Sequence, residues 1–335
     1  MKKALLWTPL SNHRVKCHLC PHSCNLKEGQ LGICMVRKNV NGELISLNYD
    51  KIAAIHSDPI EKKPLYHVLP GSQSLSIATM GCNFSCAFCQ NHSLSMVGDQ
   101  NQIFGEKKSP QDLIALALES DARSISYTYT EPTVFFELML ETAKLARQNG
   151  LKNIMVSNGY MSHDALYMIA PYLDAANIDV KAFSDEFYRK YCNARLEQVI
   201  KTIKAMRELG IWIELTTLLI PGLNDNQNEL EQLIQFILEM DSSIPWHLSR
   251  FFPHYRLLET SPTDVAVIIS ILQSAGDKGI KFLYGGNFSS AEWTNTTCPG
   301  CGILLIERNG YSTEISGLDN GRCIGCGIPI PGIWT

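Results

Sequence analysis

Cysteine is distributed very unevenly along this chain of 335 residues. Eleven of the twelve cysteines fall into three tight groups, and only Cys192 stands apart. The groups are Cys17, Cys20, Cys24 and Cys34, then Cys82, Cys86 and Cys89, and finally Cys298, Cys301, Cys323 and Cys326. Disulfides are typical of small secreted chains that cannot build a core, whereas short-spaced cysteines in a larger intracellular protein are typical of metal sites. The spacing therefore predicts three metal centres on one chain.

Charge and composition exclude several other classes of protein. The chain has 29 Lys and Arg against 33 Asp and Glu, so its formal net charge of −4 does not favour nucleic acid or anionic membranes. Its 45% hydrophobic content can fill a core. Apolar runs such as residues 266–272 are far shorter than the roughly 18 residues of a membrane span, and the first residues lack the apolar stretch of a secretion signal. We expect a cytoplasmic protein that binds neither membranes nor nucleic acid.

Between residues 74 and 290, short β-branched and aromatic runs alternate with helical segments. The predicted strands are 75–79, 125–129, 154–157, 176–180, 213–219, 246–251 and 282–284. Ser109 and Ser261, each followed by Pro, predict helix starts, and Gly150 and Gly210 predict helix ends. Such alternation is typical of βαβ units around a parallel sheet. Six clear strands and a weaker seventh predict an α/β fold, a partial (β/α)6-type barrel resembling a TIM barrel.

The two ends differ in kind from the centre. They are rich in Cys, Gly, Pro and polar residues and show little helical periodicity. We therefore predict a Cys-rich metal-binding module at 1–73, the partial barrel at 74–290, and a zinc-ribbon-like module at 291–335.

The central cysteines follow the first predicted strand, where a parallel barrel places its active-site loops. Three thiolates with the spacing CxxxCxxC suit a four-iron four-sulfur cluster that leaves one iron without a protein ligand. Zinc prefers four protein ligands, or three and a water. A zinc site that borrows His92 is the alternative.

This motif, with Phe88 just before its last cysteine, resembles that of the radical S-adenosylmethionine superfamily. The resemblance implies that the open iron of a [4Fe-4S] cluster held by Cys82, Cys86 and Cys89 binds S-adenosylmethionine. It also implies reductive cleavage of that cofactor to a 5′-deoxyadenosyl radical, which abstracts hydrogen from a substrate. An electron donor of the flavodoxin or ferredoxin type is the implied partner. The low potential that this cleavage requires calls for a site closed to water and oxygen.

Later residues match the cofactor contacts of that superfamily in chain order, each near the end of a predicted strand. The resemblance implies that Glu131 binds the cofactor's amino group, although the two glycines that precede this position in the family motif are absent here. It implies that Asn158 contacts the ribose and that His254 faces the adenosyl side. Asp179 and Lys181 match the Asp-x-Lys of glycyl-radical activating enzymes, near the sulfonium. The complete cofactor set is Phe88, Thr130, Glu131, Asn158, Asp179, Lys181 and His254.

Alternatives remain for this set. Those activating enzymes have an Asp in a cation site where this chain has Val156, so the presence of a monovalent cation stays open. Taken singly, Asp179 and Lys181 also fit a solvated ion pair, and His254 fits an ordinary loop histidine.

The last four cysteines form two C-x-x-C-G knuckles with 21 residues between them. A hairpin turning at Asn309 and Gly310 is predicted in that interval. These features predict a zinc ribbon at Cys298, Cys301, Cys323 and Cys326, with a second iron–sulfur cluster as the alternative.

The first four cysteines are less decisive. Cys17, Cys20, Cys24 and Cys34 suit either tetrahedral zinc or an auxiliary iron–sulfur cluster. Three histidines, at positions 13, 18 and 22, add alternative ligands.

With both ends included, the chain resembles the radical enzyme of the AmmeMemoRadiSam system. The match rests on Cys20-Pro-His-x-Cys24, on Gly29-x-x-Gly-x-Cys-x-x-Arg37, on Cys89-Gln-Asn and on the closing Cys-x-x-Cys-Gly-x-x-Ile-Pro-Gly-x-Trp334. It also includes residues 58–67, Asp-Pro-Ile-Glu-Lys-Lys-Pro-Leu-Tyr-His, which fit either an exposed linker or a functional segment. The resemblance implies companion proteins of the Memo and AMMECR1 types.

We therefore expect a radical S-adenosylmethionine enzyme of the oxidoreductase type with a substrate that the sequence does not name. Two other functions stay open: an activase that makes a glycyl radical on a partner protein, and a zinc-ribbon nucleic-acid-binding protein with an inactive barrel. The acidic net charge and the intact central cysteines weigh against the last.

Overall fold

The structure, a computed structural model, describes residues 2–100 and 102–335, and its centre is a nine-stranded sheet. Seven neighbouring strands of the sheet are parallel. They are β1 (Gln73–Thr79), β2 (Ser124–Tyr127), β3 (Lys152–Ser157), β4 (Ala175–Asp179), β5 (Trp212–Leu219), β6 (Trp246–Arg250) and β7 (Leu283–Gly286). Antiparallel strands Lys51–Pro59 and Glu106–Lys107 complete the sheet beside β1. The partial parallel barrel is confirmed, and the weaker seventh strand belongs to it.

Helices connect successive parallel strands. The long ones are α1 (Pro110–Glu119), α2 (Phe136–Gln148), α3 (His163–Ile169), α4 (Leu196–Glu208), α5 (Gln227–Asp241) and α6 (Val265–Asp277). Short helical turns are Ile60–Lys62, His92–Ser95, Val97–Gln100, Pro132–Phe135, Ala170–Tyr172, Asp185–Phe187, Tyr188–Cys192 and Ala291–Thr294. Within the described residues, no helix combines the length and the apolar character that crossing a bilayer requires.

Local sequence explains where most helices begin and end. Ser109 caps α1 through a reciprocal capping box with Asp112, as the sequence predicts. The predicted start of α6 at Ser261 is wrong, because the helix begins at Val265 with Asp264 as its cap. The preceding Thr263 is held outside the helix: its hydroxyl accepts the N–H of Phe251 at 3.0 Å and its carbonyl accepts Arg250 Nε at 2.7 Å.

Polar side chains occupy buried positions along the strands, an unusual feature for a barrel interior, which is normally filled by branched apolar residues. On β5, Glu214 and Thr216 are buried, as is His247 on β6. Ser74 and Ser126 join their hydroxyls across β1 and β2 at 2.6 Å. The polar interior leaves room for a cavity and a polar ligand.

The N-terminal part forms two small antiparallel sheets that pack on the barrel. Their strands are Lys2–Lys3, Arg37–Val40 and Glu43–Ser46 in one sheet, and Trp7–Pro9, Val15–Cys17 and Asn25–Leu26 in the other. Arg37 forms a buried ion pair with Glu137 of α2, and Glu137 also accepts the N–H of Leu5 at 2.7 Å.

Residues 58–67 do not form an exposed linker, so that interpretation is wrong. Ile60, Leu65 and His67 are completely buried, and Lys63 is 1% exposed. Asn177 on β4 donates to the carbonyl of Pro64 at 2.7 Å, which places the segment across the barrel interior. The segment closes the end of the barrel at which the parallel strands begin.

The C-terminal part contains strands Thr296–Thr297, Leu304–Asn309, Ser312–Ile315, Leu318–Asp319 and Arg322–Cys323. Asn309 pairs with Ser312, so the hairpin turns at Gly310 and Tyr311, one residue later than predicted. Arg308 anchors this hairpin to the barrel. Its Nη2 donates to the carbonyl of Tyr66 at 2.8 Å, and its guanidinium lies 4.2 Å above the Tyr66 ring.

Candidate active site and metal centres

One cavity of about 1120 Å³ extends from the ends of the parallel strands into the barrel. The central cysteines and the last residues of several strands line it, and so do residues from the segment 58–67 and the C-terminal hairpin. Of the sequence-predicted residues, those on its wall are Cys82, Cys86, Cys89, Phe88, Thr130, Glu131, Asn158, Asp179 and Lys181.

The three central thiols stand around an open space. Cys86 is buried, and Cys82 and Cys89 are partly buried. Within the described residues, one group of at least three metal-ligating side chains has all its ligand atoms within 4.8 Å of one another, and it lies in the C-terminal module. The three central thiols are farther apart and do not converge on a single ion. Burial raises the pKa of Cys82 well above its ordinary value, which disfavours a bare thiolate. Three separated thiols facing one cavity fit a four-iron cluster better than a closed zinc site.

Contacts from neighbouring elements fix the loop that carries these cysteines. Asn83 donates to the carbonyl of Tyr160 at 2.7 Å and accepts the side-chain amide of Asn158 at 2.9 Å. The N–H of Ser85 donates to the carbonyl of Cys192 at 3.0 Å. Gly81, with φ of +109°, packs so closely on Val36 that a Cβ would lie 2.6 Å from Cγ1. The thiols are therefore presented by a rigid loop.

Glu131 is almost fully buried and is held by its neighbours. Its Oε1 accepts the N–H of Thr133 at 3.0 Å, the hydroxyl of Thr133 at 2.6 Å and the hydroxyl of Ser157 at 2.9 Å. Among the described residues, its Oε2 accepts only the backbone N–H of Asn158, at 2.9 Å. Burial raises the pKa of Glu131, and these hydrogen bonds oppose the shift. The carboxylate joins the ends of β2 and β3 and keeps one acceptor position on Oε2.

Asp179 and Lys181 form an ion pair at the end of β4. Lys181 Nζ lies 2.6 Å from Asp179 Oδ2, and both side chains line the cavity. Burial alone would lower the pKa of Lys181, but Asp179 and the nearby Cys86 sulfur raise it. The pair faces the central cysteines and is not a solvated surface pair.

Phe88 and His254 occupy different surroundings. Phe88 is 3% exposed and packs on Phe187 with ring centroids 5.7 Å apart. His254 lies after β6, where its ring packs on His92 at 5.2 Å, and it is not on the cavity wall formed by the described residues. The adenosyl-facing role of His254 stays a prediction.

The sequence did not reveal a carboxylate and imidazole pair at the cavity, in which His247 lines the wall and Glu214 lies behind it. Glu214 is fully buried, and each oxygen accepts two hydrogen bonds: Oε1 from His67 N and Trp212 Nε1, and Oε2 from Tyr66 N and His247 Nε2. The bond from His247 is 2.6 Å long. Burial would raise the pKa of Glu214, but His247 lowers it below its ordinary value. A clue in the sequence was the presence of Glu and His inside otherwise apolar strands.

These bonds define the tautomer of His247. An ionised carboxylate only accepts, so Nε2 of His247 carries a proton. Nδ1 has no hydrogen-bond partner among the described residues, and the ring lines the cavity. The buried hydroxyl of Thr216, two residues after Glu214, also has no partner there. Both groups are available to a ligand.

The four C-terminal thiols lie close together. Cys298 Sγ is 3.6 Å from Cys326 Sγ, and Cys301 Sγ is 3.6 Å from Cys323 Sγ. Zinc–sulfur bonds of about 2.3 Å place tetrahedral thiolates roughly 3.8 Å apart. This group can therefore hold a single metal ion of zinc size.

Comparison with known proteins agrees with this architecture. The model of the Radical SAM superfamily matches residues 76–237. The chain is 41% identical over 333 residues to an uncharacterised protein of Methanocaldococcus jannaschii, covering 98% of this chain and 99% of that protein. A putative glycyl-radical enzyme activating enzyme of the same organism is 26% identical over 212 residues, covering 61% of this chain and 77% of that protein.

A solved structure shares the fold. SuiB of Streptococcus suis, bound to precursor peptide SuiA, aligns with a TM-score of 0.51 at 14% identity over 65% of this chain and 48% of that one. The family model and the sequence relatives show that the chain belongs to the radical SAM superfamily and is an enzyme of that kind. Membership implies a [4Fe-4S] cluster and S-adenosylmethionine as cofactors.

Proposed function

We propose that this protein is a radical enzyme whose substrate is bound in the barrel cavity, below the central cysteines. When bound, the [4Fe-4S] cluster and S-adenosylmethionine supply reductive cleavage of the cofactor and a 5′-deoxyadenosyl radical that takes hydrogen from the substrate. The observation that carries this proposal is the shared cavity of Cys82, Cys86, Cys89, Asn158 and Lys181.

The residues at the mouth have separate tasks in this proposal. Glu131 Oε2 accepts the cofactor's ammonium group through its remaining acceptor position, and the N–H of Asn158 that donates to the same oxygen holds Asn158 in place. Asn158 contacts the ribose. Lys181, paired with Asp179, faces the carboxylate and sulfonium region, where the pair adds little net charge.

Two buried parts of the chain form the lower wall of the cavity. The buried segment 58–67 closes the lower end, and Arg308 ties the C-terminal hairpin over it. Lys63, whose Nζ lies 2.5 Å from Asp58 and 4.6 Å above the ring of Tyr129, is on the cavity wall. A polar substrate with a hydroxyl or amino group would donate to Nδ1 of His247.

Replacing the buried Glu214 is expected to destabilise the protein, because its carboxylate holds His247 and the backbone of residues 66 and 67. In Glu214→Gln an NH2 group replaces one acceptor oxygen and faces two N–H donors. This repulsion is expected to lower the free energy of unfolding by roughly 3 kcal/mol. We expect the midpoint of thermal unfolding to fall by roughly 5 °C. Calorimetry should show no comparable change for Glu208→Gln, an exposed control. Equal midpoints for the two variants would contradict the described bonding.

The C-terminal module is proposed to hold one zinc ion. Metal binding is coupled to folding in such sites, so zinc is expected to survive aerobic purification, when an exposed iron cluster is damaged. Elemental analysis should find one zinc per chain that disappears in Cys298→Ala/Cys301→Ala. Protein purified without zinc would refute this assignment.

The proposed activity is tested by anaerobic reconstitution with iron and sulfide, followed by reduction in the presence of S-adenosylmethionine. The reduced protein is expected to form 5′-deoxyadenosine, detected by mass spectrometry, and protein without iron is not. Iron-loaded, reduced protein that leaves S-adenosylmethionine intact would argue against the proposal.

Activation of a glycyl-radical protein is the second candidate, favoured by the likeness to a putative activating enzyme. The expected partners are a low-potential electron donor of the flavodoxin or ferredoxin type and, from the AmmeMemoRadiSam resemblance, proteins of the Memo and AMMECR1 types. Twelve free cysteines suit the reducing cytoplasm, where we propose that the protein acts. Val156 lines the cavity where those activating enzymes have an Asp, so a monovalent cation is not part of the proposal.

A further inference from the structure

We infer that Cys17, Cys20, Cys24 and Cys34 hold a four-iron four-sulfur cluster and not a zinc ion. All four cysteines line one cavity of about 20 Å³ in the N-terminal module. The site would then be a second redox centre, separate from the one at the central cysteines. Its metal content does not depend on the function proposed above.

The spacing of the sulfurs distinguishes this site from the C-terminal one. The four C-terminal sulfurs lie within 4.8 Å of one another, whereas no three of the four N-terminal sulfurs do so. The central cysteines share this wider arrangement. A zinc ion about 2.3 Å from each thiolate draws the sulfurs together, whereas a cubane of four irons keeps them apart.

The presence of a cavity lined by the four cysteines favours a cluster over a zinc ion. A zinc tetrahedron has its centre only about 2.3 Å from each sulfur and leaves no cavity between the thiols. At Gly32, a Cβ would point at two of the sulfurs, 3.7 Å from Cys34 and 3.8 Å from Cys24. The remaining wall is mainly apolar, with contributions from Leu19, Leu26, Ile33 and Val134.

A buried cation with an unused donor faces the same cavity. Arg37 is 1% exposed and lines the cavity, and its Nε has no hydrogen-bond partner among the residues that the structure describes. A four-thiolate cluster carries negative charge, and its sulfurs accept weak hydrogen bonds. The guanidinium, held by Glu137, is placed to supply both a positive charge and an N–H group.

Two contacts join this site to the central cysteine loop. His22, between two of the N-terminal ligands, lies with Nε2 2.7 Å from the carbonyl of Asn83. The carbonyl of Cys34 would lie 3.1 Å from a Cβ at Gly81, the residue before Cys82. The N-terminal cysteine site therefore packs directly on the loop that carries the central cysteines.

Metal analysis of the full chain after anaerobic reconstitution tests the inference. The variant Cys82→Ala/Cys86→Ala/Cys89→Ala should keep about four irons and four sulfides per chain, against about eight of each in the unaltered protein. Both proteins should hold one zinc. Adding Cys20→Ala and Cys24→Ala to that variant should remove the remaining iron, and Mössbauer spectra should lose the last cluster signal.

Control variants keep the result interpretable. Cys298→Ala/Cys301→Ala should lose zinc and keep all of its iron. A central triple variant with no iron and two zinc ions per chain would overturn the inference, whatever the protein does with S-adenosylmethionine. The variant with all five replacements is tested for folding by circular dichroism. If it does not fold, the iron and zinc contents of the central triple variant still decide between the two metals.

Discussion

The variant Cys82→Ala/Cys86→Ala/Cys89→Ala is expected to form no 5′-deoxyadenosine. In the proposed site these three thiolates are the protein's complete ligand set for the cluster, so their removal would leave nothing to bind it or to orient S-adenosylmethionine on an open iron. The fold should persist, because the loop is held by contacts of Asn83 and Ser85 that do not involve these thiols. Single replacements should have nearly the same effect.

The measurement is 5′-deoxyadenosine per reduced chain, with the unaltered protein reconstituted in parallel. Glu208→Gln, at an exposed position on α4, is the control. It should keep the cofactor cleavage. Formation of 5′-deoxyadenosine by the triple variant would show that the central assignment is wrong.

Glu131→Gln is expected to weaken binding of S-adenosylmethionine roughly tenfold or more. Loss of one charge-assisted hydrogen bond costs about 1.5–3 kcal/mol, and about 1.4 kcal/mol corresponds to a factor of ten in affinity. The new amide group would also face the N–H of either Thr133 or Asn158, which shifts the turn that presents Asn158. The effect therefore combines a lost contact with a misplaced neighbour.

Isothermal titration of the anaerobic, cluster-loaded protein measures this change. Glu208→Gln, at an exposed position, should bind like the unaltered protein. The iron content of Glu131→Gln shows whether the cluster is retained, and its midpoint of thermal unfolding shows whether the fold is retained. With both unchanged, a lower affinity reports weaker binding of the cofactor. Unchanged affinity of Glu131→Gln would remove Glu131 from the cofactor site.

The order and direction of the elements could be predicted from the sequence. All seven strands of the parallel sheet were expected, because β-branched and aromatic residues mark each of them and turn residues bound them. Local capping also predicted α1, where Ser109 and Asp112 are only three positions apart. The start of α6 was misplaced, because Thr263 is held by Phe251 and Leu219, residues distant in sequence.

The residues at the mouth of the cavity, where the parallel strands end, could also be predicted from the sequence. Parallel strands bring their carboxyl ends to one edge, so Glu131, Asn158 and Asp179 were expected to lie near the central cysteines. The residues of the lower half of the cavity could not be predicted from the sequence. Glu214 and His247 become meaningful only through the backbone of residues 66 and 67, and no local pattern shows that this segment lies inside the barrel.

The identity of the N-terminal metal also lay beyond the sequence. Zinc and a four-iron cluster accept the same four thiolates, so C-x2-C-x3-C-x9-C spacing fits both. The separation of the sulfurs and the unused Nε of Arg37 depend on tertiary packing between this module and α2.

A crystal structure of the reconstituted protein with S-adenosylmethionine would show directly where the cofactor binds. We expect the methionine moiety on the open iron beside Cys82, Cys86 and Cys89. We also expect hydrogen bonds between the cofactor and Glu131, Asn158 or the Asp179 and Lys181 pair. Cofactor bound away from this cavity, or a central loop occupied by zinc, would contradict this expectation.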